Sequence, residues 1–69
     1  MTVHQLMNAA NVTPDVIVSI MQMGTELYFG EYEHTSEITR SLEVSSFRVT
    51  HLRQLEYRTD IDRMVIYIY

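Results

Sequence analysis

Glu31-Tyr32-Glu33-His34 is the densest group of chemistry-bearing residues in the chain. Two carboxylates and an imidazole form a donor set that divalent metals accept. If a strand continues through them, Glu31 and Glu33 point the same way with His34 beside them. The plainer reading is a solvated strand end whose charges discourage edge-to-edge pairing. It is preferred, because a metal site also needs ligands fixed by surrounding hydrogen bonds. The expected metal set is therefore empty.

His4, His34 and His51 lie in three separate stretches and form no His-x-x-x-His or His-x-Glu spacing. His51 could be paired with Ser45 or Ser46 and an acid for nucleophilic catalysis. Neither a nucleophile elbow nor a glycine-rich phosphate loop accompanies them. Asp60 and Asp62 could serve as paired carboxylates, but two Asp beside a β-turn are also what turn geometry favours. No catalytic residue, cofactor or enzymatic activity is expected. The aromatics Tyr28, Phe29, Tyr32, Phe47, Tyr57, Tyr67 and Tyr69 could stack single-stranded bases on a sheet. That use needs cations alongside, and residues 15–32 contain Asp15, Glu26 and Glu31 with no Lys or Arg. Tyrosine at a protein interface, an apolar ring with a polar tip, is the better use.

Charge supports this order of preference. Residues 1–39 carry five acids and no Lys or Arg; residues 40–69 carry five Arg against four acids, and the net charge is −4. An acidic chain lacks the phosphate-neutralising surface on which non-specific nucleic-acid binding rests. No direct nucleic-acid partner is expected.

The elements that must position these residues come from pattern. Thr2-Val3-His4-Gln5 reads as a capping box, and Val3, Leu6, Met7 and Ala10 share one helical face. A helix over about 3–10 follows, stopped by Asn11 and Pro14. Asp15–Met23 alternates as a strand, with Val16, Val18 and Ile20 on one side. Gly24-Thr25 supplies a hairpin turn, and Glu26–Tyr32 a third element in which Leu27 and Phe29 are expected in the core. Gly30 suggests a bulge or a close backbone approach. Thr35 or Ser36 caps a helix over about 36–42 with Ile38 and Leu42 on one face. Residues 45–52 fit a helix or a bulged strand equally; a strand over about 49–57 is favoured, closing a hairpin through Arg58–Asp62 onto the last strand. In that strand Met64, Ile66 and Ile68 face one way, and Val65, Tyr67 and Tyr69 the other. Being apolar on both faces, it belongs in the centre of a sheet or under a partner.

The order α-β-β-α-β-β predicts one small α+β domain over residues 1–69, a four-stranded, mainly antiparallel sheet with two short helices on one face. The opening TVHQLM, the hairpin VIVSIMQMGTELYFGEY, the short SEI helix and the closing VTHLRQLEYRTDIDRMVIYI together resemble a group of short uncharacterised proteins of Gram-positive bacteria and their prophages and mobile elements. The resemblance implies a phage or mobile-element origin and no mechanism.

A 69-residue chain buries only about 60% of its unfolded surface, and the absence of cysteine rules out disulfides as a supplement. A metal or a partner subunit is then the usual supplement, and without a metal a self-association surface is favoured. No stretch approaches the ~20 apolar residues of a membrane span, and the N-terminus lacks a basic region followed by an apolar core. A cytoplasmic protein with no membrane partner is expected. The function expected is a non-enzymatic protein–protein interaction or self-association module, a homodimer or one half of a protein pair. Met21, Met23, Tyr28, Tyr67 and Tyr69 would form its interface, with Arg58 and Arg63 at the rim. The alternative is an acidic decoy or inhibitor of a nucleic-acid-binding protein, motivated by residues 15–37; a small enzyme is the third reading.

Overall fold

The computed structural model describes all 69 residues. Its first helix, α1 (Val3–Ala10), starts where the capping box requires: Gln5 N–H donates to Thr2 Oγ1 at 3.2 Å, and Thr2 N–H donates to the Gln5 side chain at 2.9 Å. It ends at Asn11 in the left-handed region, φ 52°, a conformation that asparagine tolerates. The chain continues through β1 (Ile17–Gln22), β2 (Thr25–Glu31), a single 3-10 turn (Tyr32–His34), α2 (Glu37–Arg40), β3 (Val44–Gln54) and β4 (Thr59–Ile68). No helix is long and apolar enough to cross a membrane.

The four strands form one mixed sheet in the order β2-β1-β4-β3. Both hairpins are antiparallel, but their inner strands, β1 and β4, pair in parallel. The α+β class and the element order are as the sequence predicts; the parallel central pair is the departure from a purely antiparallel sheet. Strand β4 is central and paired on both edges, with Met64, Ile66 and Ile68 on the core side.

One face of the sheet is covered. Val3, Leu6 and Met7 of α1 pack with Val16, Val18, Ile20, Met64, Ile66 and Ile68 to form the core, and Val12, Tyr28, Tyr32, Leu42 and Val44 close around it. Tyr28 takes the core-facing place opposite Ile20 on β2. The register shifts between Ile20 and Met21, and this bulge leaves Leu27 48% exposed, while Phe29 is turned to the other face and 67% exposed. The expectation that Leu27 and Phe29 are core is thereby corrected. Gly30 answers a close approach: its φ is +153°, and a Cβ there would lie 3.0 Å from the Tyr28 hydroxyl.

Three further boundaries differ. The β1–β2 turn is Met23-Gly24, both at positive φ, one residue earlier than Gly24-Thr25, as a two-residue primed turn requires. Helix α2 is one turn, ending at Arg40 rather than about 42, so Leu42 lies beyond it, partly buried against the core, while Ile38 is 77% exposed. Strand β3 begins at Val44 instead of about 49, where Val44 N–H donates to the Met1 carbonyl at 2.7 Å and Thr2 bridges Glu43. Its register against β4 shifts between Val44 and Ser46, between Val49 and His51, and between His51 and Leu52. Each shift breaks the period-two alternation by which a strand is recognised.

Candidate functional site

The opposite face of the sheet carries no helix. Strand pairing places its residues in rows, because side chains of directly paired residues point the same way. One row runs Glu26, Met21, Tyr67, Ser46; the next runs Phe29, Ser19, Val65, Arg48; a third runs Glu31, Ile17, Arg63, His51. The Ser19 hydroxyl donates to Glu26 Oε1 at 2.7 Å, which fixes Glu26 over the same face. The centre is apolar, from Ile17, Met21, Val65 and Tyr67, with Phe29 beside them. Acids stand on the β2 flank and arginines towards the β3 flank.

Of the residues that the sequence points to as an interface, Met21 and Tyr67 are direct cross-strand neighbours on this face and Arg63 lies on it. The others fall elsewhere. Tyr28 belongs to the covered face, where its hydroxyl donates to the Glu31 carbonyl at 2.7 Å. Met23 occupies the hairpin turn. Arg58 lies in the β3–β4 connection, 3.2 Å from Asp60 Oδ2. Tyr69 follows β4 and is 78% exposed, its N–H donating to the Glu43 carbonyl and its own carbonyl accepting from Gln22 Nε2. Ile17, Phe29, Val65, Arg48, Glu26 and Glu31 also lie on the face, although the sequence does not single them out for it. The alternation of β1 and β4 carries a signal for Ile17 and Val65; Arg48 and Phe29 need the register.

The 3-10 turn does bring Glu31, Glu33 and His34 together, with ligand atoms within 4.8 Å of one another. Their main chain is held by Tyr32 N–H to the Val16 carbonyl at 2.8 Å and Glu33 N–H to the Pro14 carbonyl at 3.1 Å. Arg40 braces the same turn from α2: it donates to Thr35 Oγ1 at 2.8 Å and the Glu33 carbonyl at 3.0 Å, with its guanidinium 5.1 Å from the Tyr32 ring centre. A hydrogen bond with Glu33 pushes the Glu31 carboxyl above its ordinary range, with desolvation and repulsion from Glu33 adding to it.

Beside this turn, Arg53 ties β3 to the loop before β1. It donates to both Asp15 carboxylate oxygens at 3.4 Å and to Thr13 Oγ1 at 3.3 Å. The Thr13 hydroxyl hydrogen bond, then Arg53, hold the Asp15 carboxyl below its ordinary range, while Asp15 raises Arg53. His51 Nδ1 stands 2.9 Å from Asp62 Oδ2, not beside Ser45 or Ser46. Asp60 and Asp62 lie within β4 rather than in a turn, and Asp60 is nearly buried against Arg58. This network is an ion-paired clasp between loop and hairpin. A shallow cleft of about 300 Å³ lies between α1 and the 3-10 turn, lined by His4, Met7, Asn8, Tyr32 and Arg40 among others. Compared with protein families, curated proteins and solved structures, the chain matches none.

Proposed function

We propose that the chain is a non-enzymatic protein–protein interaction module that self-associates through the open face of its sheet. The observation that supports this is the face itself: Ile17, Met21, Phe29, Val65 and Tyr67 sit contiguously on a sheet with no second layer over them. A sheet stabilises itself by burying both faces, and a contiguous apolar face on so small a domain is the usual mark of a docking surface. A standard interface takes about 800 Å² from each partner, roughly one sixth of the 4646 Å² this chain exposes. The charges on the face favour self-docking over the acidic-decoy reading. Glu26 and Glu31 are matched there by Arg48 and Arg63, so the whole net charge of −4 resides on the remaining surface. A phage or mobile-element setting belongs to the proposal through the resemblance of the sequence alone.

Sedimentation across low to high micromolar concentration tests it. The expected species has twice the 8.1 kDa chain mass, and Met21→Ala with Tyr67→Ala weakens the association by about tenfold or more while the fold persists. A monomer throughout, or a dimer indifferent to both substitutions, overturns the proposal.

A further inference from the structure

The lateral order of the strands restricts how two copies can meet. With β2-β1-β4-β3 in sequence across the sheet, the open face has an acidic flank, an apolar centre and a basic flank: Glu26 and Glu31 on β2, and Arg63 and Arg48 on β4 and β3. Packed sheets keep their strand directions within about 30° of each other in the aligned arrangement. Two copies related by a two-fold axis can then dock face to face in two ways. An axis across the strands lays β2 over β2, acid on acid, and β3 over β3, with Arg48 of one copy over the same flank of the other. An axis along the strands reverses the lateral order and lays each acidic flank on a basic one.

We infer that the partner of the open face is a second copy of this chain, related by a two-fold axis running along the strands, with the β2 flank of each copy on the β3–β4 flank of the other. This rests on the self-association reading above and specifies its geometry. Such an axis keeps every row level and reverses it. Phe29 then meets Arg48 of the second copy, a ring face offered to a guanidinium. Met21 meets Tyr67 of the second copy, a thioether against an aromatic ring, and Ser19 meets Val65. Glu26 and Glu31 bracket the level of Arg48 from the neighbouring rows. Each favourable contact occurs twice, because a two-fold interface is self-complementary.

Charge reversal separates the two arrangements. Three proteins are compared by sedimentation at equal ionic strength: wild type, Arg48→Glu, and the double variant Glu26→Arg, Glu31→Arg. Each variant is expected to self-associate about tenfold or more weakly than wild type, since both of its flank contacts become repulsive. An equimolar mixture of the two variants is expected to associate again as a heterodimer. If both variants match wild type while their mixture associates more tightly than wild type, like flanks face like in every homodimer, the axis runs across the strands, and the inference fails while self-association stands. It fails in the same way if Arg48→Glu associates more tightly than wild type. A monomeric wild type removes the self-association reading and this geometry together. Should circular dichroism show a charge variant unfolded, cysteine cross-linking decides instead, made clean by a chain with no cysteine of its own. Phe29→Cys and Arg48→Cys proteins mixed under air are expected to form a disulfide-linked heterodimer in excess of either homodimer; absence of that excess overturns the inference.

Discussion

Glu31 and Asp15 are both exposed carboxyls, yet their surroundings push them in opposite directions. Glu33 raises Glu31, while Thr13 and Arg53 lower Asp15. A carboxyl whose pKa is raised by folding binds its proton more tightly in the folded chain. Its contribution to stability is present at acid pH and is lost as pH rises through the raised pKa. A depressed carboxyl does the reverse: the Asp15 clasp stabilises above the ordinary carboxylate range and is lost as pH falls through the lowered pKa. Side-chain carboxyl NMR is expected to show Glu31 titrating above Asp15, and Glu33→Gln to move Glu31 down. A Glu31 that titrates below Asp15, or that ignores Glu33→Gln, contradicts the influence of Glu33 on Glu31. The nearness of Glu31, Glu33 and His34 is legible in the sequence because they are consecutive or nearly so. The Arg53–Asp15 clasp is not, because it joins residues 38 apart and nothing local announces the pairing.

At the scale of elements, the two faces of the sheet make opposite predictions for one kind of substitution. Ile66 is wholly buried between α1 and its neighbouring strands, so Ile66→Ala leaves a cavity and is expected to cost about 2–5 kcal/mol in urea unfolding. Phe29 sits on the open face of an edge strand, so Phe29→Ala is expected to change the stability of the dilute monomer by no more than about 0.5 kcal/mol. Equal losses at both positions would mean that Phe29 is core after all. What the sequence reveals about these elements, and what it hides, has identifiable reasons. The capping chemistry at Thr2 and Gln5 and the clean alternation of β1 and β4 are visible in it, since both are local. Phe29 looks like core from the sequence because one bulge beside Leu27 and Tyr28 decides which face β2 turns inward. Strand β3 starts five residues before its apparent beginning because three register shifts erase the alternation over 45–52. The parallel pairing of β1 with β4 is a long-range choice between two hairpins, which neither hairpin encodes alone.

For the whole molecule, α1 packs on one side of the sheet, and the other side is where the proposal places a second copy. The helices, the Asp15–Arg53 clasp and the 3-10 turn all serve the covered side or the sheet ends. An amide and methyl NMR spectrum followed on dilution from millimolar to low micromolar concentration bears on this without altering a residue. Concentration-dependent shifts are expected at Ile17, Met21, Phe29, Val65 and Tyr67, with Val3, Leu6 and Met7 of α1 unmoved. Shifts that cluster on α1 and the 3-10 turn would place the contact on the opposite side of the molecule. A spectrum that does not change with dilution, from a species of monomer mass, would contradict self-association altogether.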